Sequence, residues 1–290
     1  MSIFQKSYEV ITNGPKEIEW DEYYRLTMEE YHRLLKTKGD DEAAFQKFFE
    51  ENPSMLPGGL ELFGHSGHYP HMNSLITQPV VGTYIERKQD YVWLAQDSLT
   101  FCPVFIEIEK PNKKMFTQAN IPSADFNQAL NQIDEWRMLL NKQVNQLAFF
   151  DYYDIHQSVR DKVFEPQFLL VYGRREEYAN SEYLQNLRKQ KEKDRVAIMS
   201  FDRLKPLSDY KQFVTCKVKE KEYKVVAIPP TFRYVAGEAD VLYRWKNFYE
   251  LIDFMKNASQ ERKEFLKSRY DYWTSFKGTP PGIIVGMEGE

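Results

Sequence analysis

Residues 105–111 read FIEIEKP, and the fold turns on how this heptapeptide is read. Phe105, Ile106 and Ile108 make it a strand, and Pro111 ends the run. Side chains alternate along a strand. Glu107 and Glu109 therefore share one face with Phe105, while Ile106 and Ile108 take the other. Two like charges side by side on a covered face are costly unless something compensates. A divalent cation would compensate, because hard cations take oxygen ligands and Mg²⁺ is typically held by one or two carboxylates plus substrate phosphates. An edge strand with one solvated face reads the same way, so the heptapeptide alone leaves both open.

Outward from it, QDYVWL (89–94) predicts a neighbouring strand opened by Asp90, whose carboxylate would complete an acidic cup with Glu107 and Glu109. Strands are expected around 76–86, 90–96 and 102–109, with the polar QDS turn joining the last two as a hairpin. Upstream, 19–37 predicts an amphipathic helix. Residues 41–51 predict a second, capped by Asp40 or Asp41 and stopped by Asn52-Pro53. Downstream, Ser123 caps a helix over 123–142, with Phe126, Ala129, Leu130, Ile133, Trp136 and Leu140 at helical spacing. A strand (167–173), a charged helix (181–193) and a strand (196–201) follow. The tail predicts a hairpin over 213–229 and helices near 246–257 and 260–275. This order fits a mixed α/β sheet flanked by helices. The expected organisation is an N-terminal helical arm (1–40), a core (41–205) and a C-terminal α+β extension (206–290).

The 290 residues include 42% hydrophobic and 15% aromatic side chains, enough for a real core and too many for a disordered chain. A net charge of −4 argues against a generally basic surface for nonspecific nucleic-acid binding, though not against a local basic groove. Cys102 and Cys216 stand far apart and outside any zinc spacing. MSIFQKSYEV lacks the layout of a signal peptide, and no run approaches the roughly 18 apolar residues of a membrane span. A cytoplasmic protein with no membrane partner is expected.

Asp90, then Glu107-x-Glu109-Lys110, then a helix bearing Gln132 resembles the PD-(D/E)xK nuclease superfamily, with its restriction-endonuclease-like sheet. The likeness sharpens to the nuclease domain of the Shedu antiphage-defence family. DEAAFQKFFEENPSML resembles its opening helix, and RKQDYVWL with VFIEIEKP its catalytic hairpin. SADFNQALNQIDEWRMLL, with Gln132 and Trp136 in a Gln-x-x-x-aromatic frame, is similar to its long helix. FLLVYGRREE with RVAIMSFDRL resembles its closing strand–helix–strand unit. The resemblance covers roughly 41–204. It implies a DNA endonuclease using Mg²⁺ or Mn²⁺, with Asp90, Glu107 and Glu109 as metal ligands and Lys110 and Gln132 as further catalytic residues. A homo-oligomer, in particular a tetramer, is implied as well, with Tyr24, Tyr31, Tyr270, Tyr272 and Trp273 as contact candidates.

The chain departs from the pattern where Glu109 stands in place of the usual lysine. Glu109 serves as ligand or water-positioning group, or a bulge turns Lys110 inward, or the site is inert and the fold is a nucleic-acid- or nucleotide-binding scaffold in a defence assembly. Three other features carry chemistry. His65, His68 and His71 are spaced for metal or for phosphate contact, although their Gly/Pro-rich setting suits a plain surface loop. Glu42 opens its helix, where the dipole favours an acid and some superfamily branches bring one to the metal. The Arg/Lys-rich run from Arg174 to Arg195 is either a solvated helix with internal ion pairs or a phosphate-tracking flank.

Overall fold

The computed structural model describes residues 8–60, 62, 68–81, 89–236, 239–276 and 289–290. Helices α1 (Trp20–Thr37) and α2 (Glu42–Glu51) open the chain. Strands β1 (Ser74–Thr77), β2 (Tyr91–Trp93), β3 (Thr100–Phe101) and β4 (Val104–Ile108) follow. Next come α3 (Ala124–Leu140), α4 (Gln143–Tyr152), α5 (Gln157–Arg160), β5 (Val163–Phe164), β6 (Gln167–Val171), α6 (Glu182–Lys191) and β7 (Val196–Met199). The tail supplies β8 (Val214–Lys219), β9 (Glu222–Ala227), α7 (Ala239–Leu242), β10 (Trp245–Lys246), α8 (Phe248–Leu251) and α9 (Gln260–Thr274).

A mixed eight-stranded sheet runs β10-β9-β8-β1-β2-β4-β6-β7, and β3 pairs with β5 apart from it. β2 lies antiparallel between β1 and β4, whereas β4, β6 and β7 are parallel. Both faces are apolar because helices cover both. On one face, Tyr31 of α1 and Phe45, Phe48 and Phe49 of α2 pack on Tyr91, Trp93, Ile106 and Leu169. On the other, Phe126, Ala129, Ile133 and Trp136 of α3 pack on Val92, Phe105, Phe168 and Leu170. The fold is the α/β class expected, a large mixed sheet between helices.

Caps place the helices that flank the site. Asp41 accepts from Ala44 N at 3.2 Å and Ser123 from Phe126 N at 3.1 Å, each satisfying a first-turn donor. Between β2 and β4, Asp97 Oδ1 takes Leu99 N and Thr100 N at 2.8 and 2.6 Å, so a side chain closes the link. Residues 82–86, expected to continue the first strand, lie outside the described residues. α4, α5 and β5 occupy a stretch where no element was expected, and β3 falls at the start of the strand expected around 102–109. In α4 the apolar run Leu147–Phe150 is contiguous rather than spaced at helical intervals, so periodicity does not mark it.

The sheet passes through residue 205 without a break. β8 pairs parallel with β1, Leu75 facing Thr215, so the tail adds strands to the core sheet. The β8–β9 turn uses left-handed backbone at Glu220 (φ 51°) and Lys221 (φ 68°), conformations usually left to Asn or Gly. At the other end, the Tyr31 hydroxyl donates to Phe201 O at 2.8 Å from a buried position. Tyr31 and Trp273 thus face the chain's own core, whereas Tyr24 is exposed. Among the described residues no helix is long and apolar enough to cross a membrane.

Candidate active site

The antiparallel pairing of Tyr91 with Ile106 and Val92 with Phe105, carried on by one residue, sets Asp90 opposite Glu107. Asp90 Oδ2 accepts from Ile108 N at 2.7 Å, which pins the carboxylate across the two strands. β4 stays in register with β6 up to Ile108, and Glu109 N still donates to Val171 O at 2.9 Å. No bulge intervenes. Glu107 and Glu109 keep the α3 face, and Lys110 turns the opposite way, where its charge acts on Asp41. The alternative in which Lys110 swings inward is not the arrangement seen.

Gln132, on the third turn of α3, donates from Nε2 to Glu107 Oε1 at 2.9 Å. Gln128, one turn earlier, is exposed. The second oxygen, Glu107 Oε2, is sealed from solvent and has no hydrogen-bond partner. Burial pushes Asp90 up from its usual 3.8 to about 7, against the Ile108 hydrogen bond and with help from the Glu42 and Glu109 charges. Burial first, then the charges of Asp90, Glu109 and Glu42, hold Glu107 well above the usual carboxylate range. Glu42 at the start of α2 therefore acts on both acids. With Gln46, Asp90, Tyr91 and Ile108 it lines a small cleft where β2 begins and β4 ends.

A lysine that sequence reasoning passed over completes the group. Lys113 Nζ lies 2.5 Å from Glu109 Oε2, with both side chains largely shielded. Burial alone would lower the Lys113 pKa; the Glu109 hydrogen bond and charge more than offset it, and the ammonium is strengthened. The turn after β4 delivers it. Asn112 is tied to Gly39 O and Asp40 Oδ2, and the Glu177 carboxylate takes Met115 N and Phe116 N at 2.9 and 2.8 Å. Gly173, at φ 60°, lets the turn close in: a Cβ there would stand 2.9 Å from Lys113 O. The readable signal was KPNKK, a run of lysines around a Pro-Asn turn directly after the strand.

The expected three-acid cup is not closed. Among the described residues no three His, Cys, Asp or Glu side chains stand close enough to hold a metal ion. Glu109 is turned to Lys113, and one oxygen each of Asp90 and Glu107 is already engaged. What remains is a pair of half-buried acids with one sealed, orphaned oxygen. That suits a hard cation taking one or two carboxylates and completing its shell from phosphate and water.

The other candidates fall elsewhere. His65 lies outside the described residues, His68 meets Ser98 Oγ at 3.2 Å, and half-buried His71 stands edge-on to Tyr223, its pKa lowered to about 4 by desolvation. The Arg/Lys-rich run is largely paired: Arg188 and Lys189 with Glu192 inside the run, and Arg174, Lys193 and Arg195 with Asp202, Asp134 and Glu165 outside it. Within α6 the pairs follow helical spacing, while the flanking cations tie the run to neighbouring elements.

A family model described as "Shedu protein SduA, C-terminal" matches residues 39–204, more than half of the chain. No curated protein and no solved structure matches. The matched stretch contains α2, the β2–β4 edge, the Gln132 helix and the β6–α6–β7 unit, so the family segment and the acidic site coincide. The chain belongs to the Shedu family, and that membership implies a part in antiphage defence.

Proposed function

We propose that the chain is a metal-dependent DNA endonuclease of the PD-(D/E)xK type, hydrolysing phosphodiesters in antiphage defence. The observation that carries this reading is the orphaned oxygen Glu107 Oε2, sealed beside Asp90. A buried carboxylate oxygen without a donor is costly, and a hard cation removes that cost. Asp90 and Glu107 would hold Mg²⁺ or Mn²⁺. Such an ion supplies Lewis acidity toward the phosphodiester and activates water. The chain's own groups prepare the place: Ile108 N pins Asp90, Gln132 fixes the rotamer of Glu107, and Glu109 adds a third negative group that orients Lys113. Without a cation, burial favours the protonated forms of Asp90 and Glu107; charge supplied at the site draws the protons off.

We place the activity in the cytoplasm and in a homo-oligomer, a tetramer as the family resemblance implies. A monomer in light scattering at micromolar concentration removes the assembly part.

The test is incubation of purified protein with supercoiled and linear DNA in Mg²⁺, Mn²⁺ or EDTA. Cutting is expected with either ion, none in EDTA, and none from Asp90→Asn or Glu107→Gln. Glu109 in the lysine position and the open cup favour a second reading, an inert nucleic-acid-binding scaffold. DNA binding without cutting under either ion selects it.

A further inference from the structure

We propose that Lys113, and not Lys110, is the cation that meets the DNA phosphate at this site; the inference rests on the nuclease reading above. Glu42 and Asp90 line the cleft, and the charges of Glu42 and Glu109 act on both Asp90 and Glu107, so a phosphate entering there would be repelled without a counter-charge. Strand alternation carried one residue past Glu109 puts Lys110 on the opposite face, from which its charge reaches Asp41. Lys113 returns to the acidic face from three residues further on, its ammonium 2.5 Å from Glu109 Oε2. An ammonium has three N–H donors, and the hydrogen bond to Glu109 uses one. About 30% of the Lys113 side chain is exposed, so an incoming strand can reach it.

The turn that carries Lys113 is fixed at both ends. Asn112 binds the Gly39–Asp40 corner before α2, and Glu177 grips the backbone beyond Lys114. The lysine is therefore placed in advance, as a charge-stabilising group must be. In this arrangement Glu109 is a positioning residue: it occupies the strand position of the usual lysine and holds Lys113 where that amine would be. As the water oxygen bonds to phosphorus and the bond to the leaving sugar oxygen breaks, negative charge gathers on the non-bridging oxygens. Lys113 donates there and keeps its proton. The water's proton goes to solvent, and the leaving oxygen takes one from solvent.

The experiment compares Lys113→Ala, Lys113→Arg and Lys110→Ala in the full chain, first confirming cooperative melting of each. A short fluorescein-labelled DNA duplex is titrated by anisotropy in EDTA at several salt concentrations, and single-turnover cleavage is followed with Mn²⁺. Lys113→Ala should slow cleavage about a hundred- to thousand-fold, flatten the salt dependence of binding by about one ion, and regain part of its rate when methylamine is added. A merely structural lysine would not respond to methylamine. Lys113→Arg should keep the salt dependence of the wild type. Lys110→Ala should lose less than Lys113→Ala on both readouts. A loss from Lys110→Ala that equals or exceeds that from Lys113→Ala, or no change from Lys113→Ala, overturns the assignment. A wild type that binds but never cuts removes the nuclease reading alone. The binding comparison then still decides which lysine meets phosphate, and a wild type that does not bind the duplex overturns both.

Discussion

Gln132 and Glu107 are joined by a 2.9 Å hydrogen bond from the long helix α3 to the C-terminal end of strand β4, with the amide donating to one carboxylate oxygen while the other has no donor. This bond is what registers the helix on the acidic site. Gln132→Ala should strand both oxygens of a buried acid and cost about 1–3 kcal/mol in urea unfolding. An unchanged unfolding midpoint would mean that the bond does not form in solution.

The pH dependence follows from Asp90. Its pKa rises on folding from 3.8 to about 7, so between those values the folded chain binds the proton more tightly than the unfolded one. Stability from this group is full below pH 4 and is lost as pH rises through 7, at most about 1.4 kcal/mol per pH unit for one proton. Asp90→Asn should flatten that slope and leave the metal-free protein more stable at pH 8 than the wild type. Thermal melts of both proteins across pH 4–8 check the sign; parallel curves would refute it.

Divalent ions should reverse the penalty. An ion that binds only the folded site at a hundred times its Kd adds about 2.7 kcal/mol. Millimolar Mg²⁺ or Mn²⁺ should therefore raise the melting temperature, more at pH 8 than at pH 6, because the carboxyls must lose their protons first. Glu107→Gln should abolish the gain. Melting curves insensitive to either ion would favour the inert scaffold.

Gly173 supports the lysine turn from the far side. Gly173→Ala forces a Cβ against Lys113 O and holds a left-handed backbone that costs about 1–2 kcal/mol for an L-residue. The variant should melt lower and also cut more slowly than its stability loss explains, since the carbonyl that moves belongs to Lys113. Wild-type cleavage by a folded Gly173→Ala protein would uncouple the turn from the chemistry.

The acidic edge was legible in sequence because its determinants are local. Strand alternation places Glu107 with Glu109, a short link brings Asp90 beside them, and the helical stripe around Ile133 and Trp136 turns Gln132 toward the sheet. Capping by Ser123 and Asp41 was legible for the same reason. Lys113 was missed because it lies beyond a proline, where alternation stops and only the tertiary ties of Asn112 and Glu177 aim the side chain. The direction of Glu109 was missed with it, since a carboxylate that looks like a ligand becomes a tether once a lysine stands 2.5 Å away. The pairing of β1 with β8 spans about half the chain, and no local pattern encodes so distant a partner.

That same pairing sets a limit on dissection. A fragment ending at residue 204, where the family match stops, would strip β8 from Ser74, Leu75 and Ile76 and bare a row of unsatisfied amides and carbonyls along an apolar strand. Such raw edges recruit other strands. The excised piece should come out of the cell as insoluble material, and any transplant of the acidic site into another scaffold must carry the tail that closes its seam.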